Sequence, residues 1–468
     1  MVEWQTRSLQ EAVLTSVRVQ ISSSLSINQL HFKRSDIFGT YQNYQGTRDY
    51  LAGKYGVNGV TSETVRFIEN RFAQIAKTYG FGEVIAPIIE FEELYRRSVG
   101  ETTDVVQKEM FSFSRGKDDL VLRPEGTAGV IRSFVQNKLY TNPDEMVKLF
   151  YKGSMFRYER PQSGRQREFV QLGVEAIGDI TPFAEAEIIA FTNDFIKSFN
   201  LQNVRLQINS IGCKTCRANY KEQLLSFLES KNLCELCENR KAVNPLRVLD
   251  CKNNACQENL EGAPLMSECL CTACKNDFST LYETLDTLQI DYKVEPRLVR
   301  GLDYYAKTVF EFVETSIGAQ STLCGGGRYE GLVEELGSPV SKSGFGCALG
   351  LERLLISLTN QNLLPNFETS FDYYLVWTGE KERVAMMKIA QTLRNNGYAV
   401  EMEFKEKKLK NQFKVANRKN AKFVLILGEE ELKNNTISVK NLTTSEQTTV
   451  SMAIFLKEKD CQLPDNLS

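Results

Sequence analysis

Histidine is nearly missing from this 468-residue chain, in which His31 stands alone. A single imidazole excludes an HExxH zinc site and any multi-histidine metal centre, and it cannot by itself supply a Ser-His-Asp triad. Chemistry here therefore falls to Arg, Glu, Gln, Tyr and backbone groups, or to Cys. Long hydrophobic runs are absent too: stretches such as residues 423–427 are far too short to cross a bilayer, so no membrane partner is expected. Neither charge is in excess. With 57 Lys+Arg against 59 Asp+Glu the net charge is −2, so any nucleic-acid contact must come from a local patch. What is left is ordinary globular composition, 42% apolar and 25% charged. The length suggests roughly two to four domains.

Residues 1–44 hold few acids, carry a Ser-rich stretch at 22–26 and show no sustained period. They read as an N-terminal extension of unassigned role. Arg, Ser and scarce acids fit a transit peptide, whereas the lack of a secretory apolar core points to a cytoplasmic protein. Regular patterning starts after them. Val65, Ile68, Phe72, Ile75 and Tyr79 recur every three or four residues, with Thr61 and Ser62 ahead and Gly80 behind, which predicts an amphipathic helix. The apolar run Val84-Ile85-Ala86-Pro87-Ile88-Ile89 then reads as a strand. Between residues 146 and 178 the period becomes two, as antiparallel strands require. A Pro/Asn-containing stretch at 360–366 reads as a linker. Beyond it, segments 373–377, 384–393, 399–404, 409–418 and 423–427 alternate strand and helix, predicting a separate α/β domain with a mostly parallel core.

Three clusters carry chemistry. The first is a strand, a Pro/Gly loop and a returning strand over residues 155–175. Side chains alternate faces along a strand, so Arg157 and Glu159 share one face, and Phe169, Gln171, Gly173 and Glu175 share one on the return. Val170, Leu172 and Val174 point the other way, into the core. A ring, an amide, a gap and a carboxylate on one surface suit a ligand, although a solvated outer face has the same alternation. Gly173 favours the ligand, because a mid-strand glycine implies a close approach. The second cluster is an island of nine of the twelve cysteines within residues 213–274, where uniform scatter would place between one and two. Cys213/Cys216, Cys234/Cys237 and Cys271/Cys274 are CxxC pairs, with Cys251/Cys256 and Cys269 beside them. Two such pairs close a tetrahedral Zn²⁺ site, so structural zinc, unliganded thiols and redox sensing all remain open. The third is a basic run, Lys405, Lys407, Lys408, Lys410, Lys414, Arg418, Lys419 and Lys422, against the one acid Glu406. Leu409, Phe413 and Ala416 make it an amphipathic helix whose outer face is either merely solvated or phosphate-facing.

Arg157-x-Glu159, then Phe169-x-Gln171-x-x-x-Glu175 after the loop, resembles motif 2 of class II aminoacyl-tRNA synthetases. Four other stretches narrow the resemblance to the histidyl-tRNA synthetase family: Arg123-Pro124-Glu125-Gly126-Thr127, Leu298-Val-Arg-Gly-Leu-Asp-Tyr-Tyr305, Cys324-Gly-Gly-Gly-Arg-Tyr329, and Phe345-Gly-Cys-Ala-Leu-Gly-Leu-Glu-Arg353. Five motifs in the family's order are specific where any one of them is weak. The resemblance covers residues 45–460 and departs from the family at Gln45, in place of a basic residue, and at Val170, in place of an aromatic or His.

The resemblance implies an α+β class II core at 45–362 with an antiparallel sheet flanked by helices. It implies a small Cys-rich helical insertion at 213–292 and an α/β anticodon-binding domain at 370–460. The implied function is ATP-dependent ligation of L-histidine to tRNA(His) through histidyl-adenylate, with Mg²⁺ accompanying ATP. A homodimer is implied, with motif 1, around Pro87 and residues 91–111, at its interface. By resemblance Arg157 and Arg300 are catalytic at the α-phosphate. Arg157, Glu159, Phe169 and Arg353 bind ATP, and Glu125, Thr127, Gln171, Glu175, Tyr304 and Tyr305 bind histidine. Any structural zinc would use Cys213, Cys216, Cys234, Cys237, Cys251, Cys256, Cys271 and Cys274. Two competing readings are a non-catalytic regulatory subunit of histidine biosynthesis and a zinc-bearing RNA-binding module.

Overall fold

The structure is a computed structural model that describes residues 42–459 apart from 102, 143, 252, 316–320 and 368–369. His31 and most of the 1–44 extension lie outside the described residues. The expected first helix is α1 (Ser62–Thr78), whose Thr61 cap accepts the backbone N–H of Thr64 at 3.2 Å. Its stripe of Ile68, Phe72 and Ala76 is fully buried.

The chain continues through β1 (Gly82–Glu83), β2 (Ile89–Phe91), α2 (Glu92–Val99), β3 (Phe111–Arg115), β4 (Asp118–Leu122) and α3 (Thr127–Gln136). The long hairpin β5 (Val147–Phe156) and β6 (Glu168–Gly178) follows, then α4 (Pro182–Lys197) and β7 (Val204–Ser210). Four helices then leave the sheet: α5 (Lys214–Leu228), α6 (Glu235–Val243), α7 (Asn254–Asn259) and α8 (Thr272–Thr287). The chain returns in β8 (Tyr292–Val294), β9 (Tyr305–Glu314), β10 (Thr322–Tyr329), α9 (Leu332–Glu335), β11 (Ser343–Gly350) and α10 (Leu351–Asn360).

Eight of these strands form a sheet ordered β1-β5-β6-β11-β10-β9-β7-β8, and β2, β4 and β3 form a small separate one. The larger sheet is antiparallel except at its two edges, where β1 and β8 pair in parallel. One face is sealed by α1 and α4, with Phe72 set edge-on against Phe191 (5.3 Å) and Phe195 (5.0 Å). Leu172, Val174 and Ala176 of β6 join that core, as the alternation predicts. The other face is only partly covered, by α3, and holds the site.

Two expectations are corrected here. Residues 84–89 are mostly not strand: after β1 the chain leaves the sheet, and Ile85 is 89% exposed, with Ile88, Ile89 and Phe91 also exposed. Backbone demand explains this, because the Arg123 guanidinium takes the carbonyls of Ala86 (2.8 Å) and Pro87 (3.4 Å). Arg157 and Glu159 lie just beyond β5 rather than on it. Pairing still reaches Arg157, whose N–H donates to Arg167 at 2.9 Å.

The C-terminal segment alternates as predicted: β12 (Phe371–Trp377), α11 (Glu380–Asn395), β13 (Val400–Met402), α12 (Leu409–Arg418) and β14 (Ala421–Leu427). After α13 (Glu429–Lys433), β15 (Thr436–Asn441) and β16 (Gln447–Ser451) add two antiparallel strands, and α14 (Met452–Lys459) closes the unit. Strands β13, β12 and β14 are parallel. Among the described residues no helix is long and apolar enough to cross a membrane.

Candidate active site

The floor of the site follows from strand register. Gly173, Ala348 and Gly325 sit directly opposite one another on β6, β11 and β10, and Glu311 of β9 is next in the row. Directly paired residues share a face, so three nearly bare positions lie side by side, two of them, Ala348 and Gly325, lining a cavity. The first of these glycines corrects an expectation. A methyl at Gly173 would come within 2.3 Å of the Tyr151 ring, so the glycine makes room for a core tyrosine rather than for a ligand. Gly325 makes room for Arg300, whose guanidinium would be 2.5 Å from an added Cβ.

Every residue expected to bind ATP or histidine, except Glu175, lines this one cavity. Arg157 enters from the end of β5, Phe169 and Gln171 from β6, Arg300, Tyr304 and Tyr305 from the approach to β9, and Arg353 from α10. Arg157 lies 5.3 Å from the centre of the Phe169 ring, and its Nε donates to Pro124 O at 2.9 Å. Glu159 stands between Arg157 (3.9 Å) and Arg165 (3.1 Å). Arg353 donates to the carbonyls of Gly164 (3.2 Å) and Thr322 (2.8 Å), which fix it as a wall of the cavity. Burial first, then the neighbouring Arg165 and Arg157 charges, hold its pKa below the usual arginine value.

Arg300 is ion-paired with Glu311, whose other oxygen accepts from Thr322 Oγ1 at 2.9 Å. Burial opposes the Arg300 charge, but Glu311 and the two tyrosines outweigh it and raise its pKa. Its Nε and Gln171 Oε1 are buried without a hydrogen-bond partner in the protein, as groups kept for a ligand are.

Next to the arginines sits a wall of rings, Tyr304 on Tyr305 at 4.6 Å and Tyr304 edge-on to Tyr329 at 5.9 Å. Burial pushes the Tyr305 hydroxyl up to about 12 and Tyr304 further, so both stay protonated donors at neutral pH. Glu125 starts α3, taking the N–H groups of Thr127 and Ala128 at 2.8 Å each. Glu175 lies one layer deeper, accepting from Thr127 Oγ1 (2.6 Å) and Tyr329 OH (3.1 Å), and burial holds its carboxyl well above the usual range.

Sequence reasoning missed Glu311 and Glu352. Glu311 carries no local signal, and Glu352, although it stands in the motif that ends at Arg353, matters through partners distant in the chain. Glu352 accepts the backbone N–H of Val170 (3.1 Å) and the hydroxyl of Tyr50 (3.4 Å), tying β6 to α10. Burial pushes its carboxyl up to about 7. Between the ordinary glutamate value and about pH 7 the folded state therefore holds a proton that the unfolded chain has lost, so stability falls as pH rises through that window. Glu352→Gln removes this dependence, and the stability of the variant relative to the parent should rise by on the order of 3 kcal/mol between pH 4.5 and 7.5. Thermal melts across that range check it; a difference constant with pH would refute the burial argument.

The cysteine island resolves into two quartets, Cys213/Cys216/Cys271/Cys274 and Cys234/Cys237/Cys251/Cys256, each with its sulfurs within 4.8 Å of one another. Cys269 belongs to neither. All eleven described cysteines are free thiols. Cys213, Cys234 and Cys271 are the N-caps of α5, α6 and α8, and backbone N–H groups point at Cys216 Sγ (3.1 Å, from Cys271) and Cys256 Sγ (3.2 Å, from Cys234). Such N–H groups at the sulfurs are what a thiolate metal site requires around its ligands. Five of the fourteen buried side chains in the core cluster that these cysteines share are cysteines, a thin apolar core for the helices around it.

In the C-terminal unit the basic run is less free than its sequence suggests. Lys407 pairs with Glu403 (2.6 Å), Lys422 with Asp372 (2.8 Å) and Lys419 with Glu401. Lys405, Lys408, Lys410, Lys414 and Arg418 stay exposed.

Residues 57–354 match the family described as histidyl-tRNA synthetase, and residues 373–459 match the anticodon binding domain. The histidine–tRNA ligase of Clostridioides difficile (strain 630) is 46% identical over 396 residues, 84% of this chain and 94% of that protein. Its counterpart in Natranaerobius thermophilus is 43% identical over 415 residues, 88% and 96% of the two chains. Among solved structures, the apo histidyl-tRNA synthetase of S. aureus matches with a TM-score of 0.75 at 35% identity, over 90% of this chain and 100% of that one.

Proposed function

Because the chain belongs to the histidyl-tRNA synthetase family, we propose a role for each residue of the cavity in a single two-step reaction. The protein is a histidine–tRNA ligase of class II, which charges tRNA with histidine. The observation that carries the residue roles is the convergence of Arg157, Arg300 and Arg353, from three separate elements, on one bare-floored cavity beside a tyrosine pair.

The histidine carboxylate attacks the α-phosphorus of ATP, diphosphate leaves, and a ribose hydroxyl of tRNA then takes the histidyl group from AMP. The nucleophile in the first step is the substrate itself, so the protein has to position two anions and neutralise the charge that builds at phosphorus. Arg157 and Arg300 hold the α-phosphate from opposite sides of the cavity, while Arg353 holds the distal phosphates. Mg²⁺ enters with ATP and adds positive charge there. Phe169 stacks on adenine and Glu159 accepts from it. Gln171 takes the substrate ammonium. Tyr304, Tyr305, Glu125 and Thr127 meet the imidazole, and a side chain lacking its nitrogens would leave these buried groups unpaired. Glu175, also expected at the ammonium, supports the pocket through Thr127 and Tyr329.

The same reading takes residues 45–362 as the catalytic core, 213–292 as its insertion and 370–460 as the domain that meets tRNA(His). The exposed side chains from Lys405 to Arg418 would face phosphates. The exposed strip of Ile85, Ile88, Ile89 and Phe91 supports a homodimer through motif 1, for which sedimentation at twice the chain mass is the check. The eight quartet cysteines fit structural Zn²⁺, soft thiolates in fours being its preferred set. The cytoplasm is the proposed location.

Histidine-dependent exchange of pyrophosphate into ATP, together with charging of a tRNA(His) transcript, tests the assignment. Both are expected. A non-catalytic regulatory subunit or a bare RNA-binding module would give no exchange, and its absence from pure protein would overturn the reading.

A further inference from the structure

The turn that carries the tyrosine pair is held from outside the catalytic sheet. Arg217 of α5 donates Nη1 to the Tyr305 carbonyl at 3.0 Å. Lys307, two residues on, has a left-handed backbone (φ 50°), a conformation that a non-glycine residue keeps only when its surroundings hold it. Those surroundings are the start of the insertion. Lys307 N–H donates to Gly212 O (3.0 Å), its carbonyl takes Ile211 N–H (2.7 Å), and its Nζ reaches Asp277 of α8 (3.2 Å).

Arg217 and Asp277 each follow their cysteines by a few residues. Arg217 comes directly after Cys216, and its N–H closes the first turn of α5 onto Cys213 O at 2.9 Å. Asp277 lies three residues past Cys274, on α8. The quartet Cys213/Cys216/Cys271/Cys274 thus joins the first turns of the two helices that grip the tyrosine strand. The other quartet reaches this turn by the longer route of α6 and Asn244, which donates to Asp303 at 2.8 Å.

We propose that a zinc ion in the Cys213/Cys216/Cys271/Cys274 quartet is a positioning element of the histidine pocket, acting through Arg217 on Tyr305. It rests on the zinc reading above and adds a division of effect: occupancy of this centre sets the affinity for histidine while the contacts to adenine and the distal phosphates, built on β5, β6 and α10, are untouched. Arg217 is a positioning residue; it holds a carbonyl of the pocket and does not touch substrate.

The test uses full-length protein purified under reducing conditions without chelator. Metal analysis should find two zinc ions per chain, and one in Cys271→Ser. Replacement by Co²⁺ should give thiolate-to-cobalt absorption, which halves in that variant. In pyrophosphate exchange, Cys271→Ser and Arg217→Ala should each raise the histidine KM about tenfold, the loss of one charge-assisted hydrogen bond, and leave the ATP KM within about twofold. Arg217→Ala should keep both ions, so its effect does not depend on the metal staying bound, and Arg217→Lys should recover part of the histidine KM. An unchanged histidine KM in Arg217→Ala with both ions present would overturn the coupling and leave the zinc reading standing. A metal-to-chain ratio near zero in the reduced parent protein would overturn both.

Discussion

Arg300→Ala is expected to cut histidine-dependent pyrophosphate exchange by about 10²–10³, the range found when one preorganised charge-stabilising donor is removed. The reaction offers the protein no side-chain nucleophile to lose, so nearly all of the catalysis resides in such donors. Arg300 is also well prepared for the task. Gly325 lets it lie flat on the sheet, Glu311 fixes its guanidinium, and Thr322 fixes Glu311 at 2.9 Å. Its deletion has a second effect, because it leaves the half-buried Glu311 carboxylate facing the phosphates without its partner. Arg300→Ala/Glu311→Gln should therefore recover some of the exchange that Arg300→Ala loses. A melting curve close to the parent's will show that the loss is chemical. Near-normal exchange in the folded single variant would refute the role given to Arg300.

Gly326→Ala should destabilise the core by about 3 kcal/mol, the upper end of the usual overpacking cost. A methyl there would stand 2.2 Å from the Gly346 carbonyl oxygen and 2.8 Å from Cys347 Cα. Both are backbone atoms, so no rotamer change relieves the clash and β10 must move away from β11. That movement also displaces the two strands supporting Arg300 and Arg353, so exchange should fall together with the melting temperature. Gly82→Ala is the control: its nearest neighbour would be 4.0 Å away, and a change within about 0.5 kcal/mol is expected. Equal melting temperatures for Gly326→Ala and the parent would mean that the sheet is looser than its register implies.

The zinc-dependent histidine affinity and the pH-dependent contribution of Glu352 have a common origin. Each depends on a contact between segments far apart in the chain.

The sequence alone determined the elements whose causes are short-range. The capped stripe of α1, the alternation of β5 and β6, and the strand–helix rhythm after residue 370 depend on periods and turn residues that neighbours in the chain set by themselves. Its five ordered motifs were enough to indicate the family and to name residues that meet in one cavity. The single histidine proved no obstacle, since none of those residues is histidine.

Tertiary structure decided the rest, because register and long-range contact have no local trace. Only strand pairing shows that Gly173 yields to Tyr151 while Gly325 yields to Arg300. Only folding sorts eight cysteines into two quartets and pairs Lys422 with Asp372, fifty residues away. The apolar run at residues 84–89 looked like a strand and mostly is not one, its Ala86 and Pro87 carbonyls going to the Arg123 guanidinium instead of a neighbouring strand. Glu311 lies in no recognisable pattern, and Glu352 lies in a motif that does not reveal its task; the importance of both comes from the partners that the fold brings to them: Arg300 for one, Val170 and Tyr50 for the other.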